Sequence, residues 1–139
     1  MFRTTQQIEE QLPELAKILG YEKQPKWMTL RFAINISLSL PQKLDEAKKL
    51  NYEGGIDYKT SVITGKNKTD VTGVQADYTD FLAIVVSNYH NCALEDINTL
   101  EKLLELHCDR GFEYLGKNLN KASSVFVWLK NESAILAKA

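Results

Sequence analysis

The chain has 139 residues and a mass of 15.8 kDa, enough for one compact domain whose hydrophobic core needs no disulfide or metal. It is 44% hydrophobic and 25% charged, with 7 Gly and 3 Pro, which excludes a disordered or collagen-like chain. Lys plus Arg number 17 against 18 Asp plus Glu, giving net −1 and a pI near 6.1; this excludes a uniformly basic nucleic-acid binder and leaves room for a local basic patch.

Two cysteines, Cys92 and Cys108, are too few for a secreted disulfide framework. The opening MFRTTQQIEEQ lacks the apolar stretch of a signal peptide. The longest run without Asp, Glu, Lys or Arg, Phe81 to Leu94, is 14 residues, short of the roughly 20 that span a bilayer. A cytoplasmic, reducing setting without membrane contact is the expectation.

Met1 to Arg3 leaves room for one short strand, which cannot satisfy its own backbone and must pair with another chain or be hidden. In Thr4-Thr5-Gln6-Gln7, a Thr cap with a Gln three residues on fits a capping box. A first helix follows, with Ile8, Leu12, Leu15, Ile18 and Leu19 on one face and Gly20 as its stop. Pro13, in mid-pattern, predicts a bend or a start nearer to itself. Pro25 opens a second helix with Trp27, Leu30, Ile34 and Leu38 on one face, ending before Pro41. The pattern weakens from Pro41 to Gln75: a short helix over Lys43 to Leu50, an edge strand over Tyr58 to Thr64, and a polar loop over Gly65 to Gly73.

Asp77 then caps a third helix carrying Phe81, Leu82, Ile84, Val85, Val86 and Tyr89, with a β-strand as the competing reading because Ile84 to Val86 is β-branched. A fourth helix begins near Glu95, shows Ile97, Leu100, Leu103, Leu104 and His107, and continues toward Tyr114 and Leu115. A last one covers Ser123 to Leu136. The predicted fold is mainly α: a compact helical domain of about five helices with a short N-terminal strand. It divides into strand-helix-helix (1–40), an irregular segment with a loop (41–75) and C-terminal helices (76–139).

The chemistry is sparse. His90, Cys92, His107 and Cys108 are of metal-ligand type, but adjacent helical residues point about 100° apart. His107 and Cys108 therefore do not aim at one ion, and the spacing fits no common zinc pattern. Buried structural residues, and no metal, are expected. Gly65-Lys66-Asn67-Lys68-Thr69 fails as a phosphate loop, with Thr60 where a glycine is needed and Asn67 where Ser or Thr is needed. There is no Gly-x-Ser-x-Gly, and Glu9, Glu10, Glu14, Asp45 and Glu46 read as a solvated helical surface, so neither an enzyme nor a cofactor is expected. Charge is unevenly spread: residues 71–109 hold seven acidic residues and one basic residue, net −6, while residues 110–139 are net +3.

The opening FRTTQQIEEQLPELAKILG and the second helix TLRFAINISLSL resemble the start of the DndE family of DNA phosphorothioation proteins, with Arg3, Gly20, Arg31, Ser39 and Leu40 in the matching places. DYKTSVITG, Asp57 to Gly65, is similar to that family's extended segment, and His107-Cys108-Asp109-Arg110-Gly111 to its His-x-Asn-Arg-Gly stretch, with Asp109 in place of Asn. The resemblance implies a helical fold related to ribbon-helix-helix proteins, in which Met1 to Arg3 pairs with a second subunit. It also implies a homo-oligomer such as a tetramer, and an accessory role in replacing a phosphate oxygen of DNA with sulfur. Binding of nicked or duplex DNA is part of that implication, as are sulfurtransferase-like and ATPase partner subunits.

The candidate phosphate contacts are Lys17, Lys23 and Lys26 around the first inter-helix turn, Lys66 and Lys68 on the loop, and Lys117 and Lys121 after Arg110-Gly111. Arg31 and Arg110, within apolar helices, are candidates for buried structural ion pairs with Glu or Asp. The alternative function is a non-catalytic oligomeric scaffold that joins the other modification proteins.

Overall fold

Five helices and a two-stranded antiparallel ribbon make up the fold in a computed structural model that describes residues 1–65, 77–94 and 96–119. Strand β1 (Phe2–Arg3) pairs with β2 (Asp57–Tyr58), Phe2 opposite Tyr58 and Arg3 opposite Asp57. Two residues per strand are marginal on their own. Here Phe2 is fully buried, and the ribbon is extended by Thr4 N–H to Ile56 O at 3.1 Å and by Ile56 N–H to Thr4 Oγ1 at 3.1 Å. The Arg3 N–H donates to Glu105 Oε2 at 2.5 Å. The strand thus finds its partner within the chain and is covered by a carboxylate, which corrects the expectation that it waits for a second subunit.

Helix α1 (Gln6–Ile18) is capped by Thr5, whose Oγ1 accepts from Ile8 N–H at 3.3 Å. Thr4, the cap of the predicted box with Gln7, instead donates to Glu9 Oε2 at 3.1 Å, so the cap moves one residue on and the box does not form. Ile8, Leu12, Leu15 and Ala16 form the buried face. Pro13 neither delays the start nor ends the helix: it is exposed, so the carbonyl it deprives of a donor lies toward water. The predicted stop holds. Gly20, at φ +82°, donates to Lys17 O, and Tyr21 N–H reaches Ala16 O at 2.7 Å, the paired bonds of a left-handed C-terminal cap.

Helix α2 (Lys26–Ser39) buries Thr29, Leu30, Ala33, Ile34 and Ser37. Residues 43–50 form a turn and extended chain in place of the predicted short helix, and 60–64 form a short helix, α3 (Thr60–Thr64), in place of an edge strand. Helix α4 (Thr79–His90) bears out the helical reading of the β-branched run; Asp77 acts one residue ahead of the cap position, accepting from Thr79 N–H at 3.0 Å. Helix α5 (Ile97–Asn118) starts at the cap Asp96, whose Oδ1 accepts from Thr99 N–H at 2.8 Å, and at 22 residues it is the longest element described. The predicted helix from Ser123 to Leu136 lies outside the described residues.

Helix α5 is the spine. It buries Leu100, Leu103, Leu104, Cys108, Phe112 and Leu115 against α1, α2 and β1. Its crossing with α2 is unusually close: a Cβ at Gly111 would stand 1.9 Å from Ala33 O. No side chain fits there. Gly111→Ala is therefore expected to force the two helices apart and destabilise the fold by about 3 kcal/mol, the upper part of the range for overpacking; an unchanged midpoint in urea unfolding would contradict this.

Candidate functional site

Where α2 crosses α5, buried polar side chains join in one chain of hydrogen bonds. Ser37 is fully buried at the end of α2; its Oγ lies 2.8 Å from His107 Nδ1 and accepts from Arg110 Nε at 2.8 Å. His107 Nε2 lies 2.9 Å from His90 Nε2, and His90 Nδ1 lies 2.9 Å from Glu46 Oε1. A guanidinium only donates and a carboxylate only accepts, so Arg110 donates to Ser37 and His90 Nδ1–H donates to Glu46. Between these ends the tautomers of the two rings set which atom of each pair donates, and every link is within hydrogen-bond distance.

The other Arg110 donors reach Ser37 O at 2.5 Å, Gln42 O at 2.6 Å and the Tyr89 hydroxyl at 3.0 Å. Tyr89 in turn donates to Gln42 O and accepts from Leu44 N–H, which fastens the segment after α2 to α4. Arg31 repeats the theme. Its Nε and Nη2 donate to Ile63 O at 3.0 and 2.6 Å, and its guanidinium lies 4.5 Å from the Trp27 ring and 4.9 Å from the Tyr78 ring. Beside it, Tyr78 N–H donates to Thr64 O at 2.7 Å.

Among the described residues neither arginine meets a carboxylate, which corrects the expected ion pairs. The reason is local. Ser37 O and Ile63 O lie in the last turns of α2 and α3, where carbonyls lack their full set of helical donors; Arg31 serves Ile63 O, and Arg110 adds a second donor to Ser37 O, which already accepts from Leu40 N–H at 3.2 Å.

The four residues of metal-ligand type do not converge. His107 faces Ser37 and His90, Cys108 is buried with its Sγ 4.0 Å from Leu30 O, and Cys92 is exposed. No group of three or more His, Cys, Asp or Glu among the described residues is placed to hold an ion. Burial pushes the Cys108 thiol well above its ordinary pKa. Two of the carboxylates read as solvated surface have partners far along the chain: Glu9 accepts from the Tyr58 hydroxyl at 2.9 Å, and Glu46, in a turn and not on a helix, holds His90.

The lysines separate into groups. Lys17 and Lys23 are exposed and have no carboxylate partner among the described residues; Lys26, on the same turn, lies 3.5 Å from Glu9 Oε1. Lys117 pairs with Glu113 at 3.1 Å and lines a separate cleft with Lys48 and Asp109. Lys66, Lys68 and Lys121 lie outside the described residues. Sequence reasoning passed over Ser37, Tyr89 and Glu105. Only Glu105 carried a signal, a carboxylate inside the run Leu103-Leu104-Glu105-Leu106; it is buried, accepts from Arg3 N–H and the Tyr52 hydroxyl, and its pKa is raised by desolvation.

The polar chain sets a pH dependence. Burial, with the neighbouring His90 and Arg110 adding, pushes the His107 pKa down to about 3 from its ordinary 6.5. The unfolded chain therefore binds the proton first. Stability contributed by neutral His107 is complete above pH 6.5 and falls progressively as pH drops from there toward 3. His107→Gln is expected to flatten the unfolding midpoint against pH over this window relative to the native chain; an equal slope in both would remove His107 as its source.

The family model described as DNA sulphur modification protein DndE matches residues 1–123. No curated protein and no solved structure gives a significant match. With 123 of its 139 residues covered by that model, the chain belongs to the DndE family of DNA sulphur modification proteins.

Proposed function

We propose that, within the DNA sulfur modification to which family membership assigns the chain, it is a non-catalytic accessory subunit that binds nicked or duplex DNA through backbone phosphates. In this reading it works in the cytoplasm as a homo-oligomer beside sulfurtransferase-like and ATPase subunits. The observation that carries the DNA reading is the turn between α1 and α2, where Lys17 and Lys23 stand exposed without carboxylate partners among the described residues. Lys26 stands next to them, held only loosely by Glu9. Helix α2 also begins there without a side-chain cap, so its first amides add partial positive charge on the same side. Phosphate contacts of this kind are sequence-tolerant and sensitive to salt.

One observation favours the scaffold reading. On α4, Phe81 and Ile84 are 61% and 60% exposed one turn apart, with Tyr78 also exposed a turn earlier, an apolar stripe of the sort that partner proteins cover. Among the described residues no helix is long and apolar enough to cross a membrane.

A salt series decides between the two. Replacing Lys17, Lys23 and Lys26 together with Ala should weaken binding to intact and nicked duplex alike and lower the slope of log K against log salt by about 2–3, near 0.9 for each phosphate no longer neutralised. The pair Lys66→Ala and Lys68→Ala tests those two lysines in the same way. Absence of measurable binding by the native chain would favour the scaffold.

A further inference from the structure

A cleft of about 820 Å³ opens between the segment 46–52 and the first half of α5, with Met1 and Arg3 also in its lining. That volume is of the order that holds a nucleotide-sized ligand. Its carboxylates are occupied. Glu101 holds the Met1 amino group at 2.8 Å, Glu105 accepts from Arg3 N–H and Tyr52, and Glu46 holds His90. Its cations are not all occupied. Lys48 is paired with Asp109 at 2.6 Å, but Lys49 and Lys102 are exposed and have no partner among the described residues. Lys102 is the one basic residue within the acidic stretch 71–109, and it lines this cleft. The guanidinium of Arg3 lies 4.0 Å from the Tyr52 ring, with about half of the side chain exposed.

We propose that this cleft is an anion site for a phosphate monoester of nucleotide size, its phosphate held by Lys49 and Lys102 and its organic part set against Leu50, Leu106 and Tyr52. A phosphate monoester carries roughly −1.5 to −2 at neutral pH, which two lysines match and which a carboxylate or a phosphodiester, with one charge, does not. Leu50 and the Tyr52 ring supply most of the area for a sugar or base, and Glu101 and Glu105 are countered by the Met1 amino group and the Arg3 guanidinium. The cleft does not depend on the DNA contacts at the α1–α2 turn, since Lys17, Lys23 and Lys26 take no part in lining it. The phosphate has two sources in principle, a free nucleotide or the phosphorylated end of a DNA strand.

Calorimetric titration of the full chain with deoxyadenosine 5′-monophosphate, with a short 5′-phosphorylated oligonucleotide and with its 5′-hydroxyl twin tests the site and separates the sources. Saturable binding that requires the terminal phosphate is expected. Tighter binding of the mononucleotide assigns the free ligand, and tighter binding of the phosphorylated strand assigns the strand end. The double variant Lys49→Ala and Lys102→Ala should weaken either by about tenfold or more, as removal of charge-assisted hydrogen bonds does. Both residues are exposed and unpaired among the described residues, so the variant keeps its fold. The proposal is overturned if neither phosphorylated ligand binds saturably, if the 5′-hydroxyl twin binds as well as its phosphorylated form, or if the Lys49 and Lys102 variant binds like the native chain.

Discussion

The close approach of α2 to α5 at Ala33 and Gly111 is the constraint on which the rest of the molecule depends. With no Cβ at Gly111, the backbone of α2 comes down onto α5, and only at that separation can Arg110 reach Ser37 O and Ser37 meet His107. The buried polar groups then satisfy one another in sequence from Arg110 to Glu46. A buried donor or acceptor left without its partner is costly, so these groups hold or fail together, and with them the placement of Gln42, Leu44 and Glu46 on α4. The stretch His107 to Gly111 reads from this as a structural unit: two of its side chains supply the polar chain, Cys108 fills the core, and the glycine makes the room.

A second theme follows from the ends of helices. Arg110 and Arg31 serve the last carbonyls of α2 and α3, and Glu105 serves the amide of Arg3 on the free edge of a two-residue strand. In each case an ionised or ionisable side chain meets backbone polarity that secondary structure leaves over. This explains how a ribbon too short to stand alone persists. It also removes the ribbon as a reason for self-association, and leaves the exposed stripe Tyr78, Phe81 and Ile84 as the surface that an assembly would have reason to cover.

Elements with a strong 3.6-residue period were legible from residues alone. Ile8 to Leu19 and Leu100 to Leu115 declared their buried faces, and the stop at Gly20 followed from the need for a left-handed residue. The failures have a common origin, since they concern residues whose state is set by partners far along the chain. Phe2 and Arg3 form the expected strand, but its partner is Asp57 and Tyr58, far along the chain, and nothing near Met1 announces them. Thr60 to Thr64, β-branched at Thr60, Val62, Ile63 and Thr64, coils into a short helix whose end Arg31 secures from another helix. Arg31 and Arg110 were expected to meet carboxylates, but carbonyl partners, which the structure gives them, leave no mark in a sequence. For the candidate sites, Lys17 and Lys23 were legible as charges on a turn; Lys49 and Lys102 were not, because their meeting in one cleft depends on how the segment 46–52 lies over α5.

The net charge of −1 proves a poor guide to binding, for a physical reason. At physiological salt the field of an exposed charge decays over about 8 Å, so a ligand senses the few groups beside it and not the sum over the chain. What matters is which cations are already neutralised. Lys48 and Lys117 sit on carboxylates and Lys26 lies near one, while among the described residues Lys17, Lys23, Lys43, Lys49, Lys59 and Lys102 do not. Four of these six gather at two places, Lys17 and Lys23 at the α1–α2 turn and Lys49 and Lys102 in the cleft beside β1. A slightly acidic chain thus presents two local positive sites, each weak enough to be governed by salt, and their separation on the surface lets one be removed without touching the other.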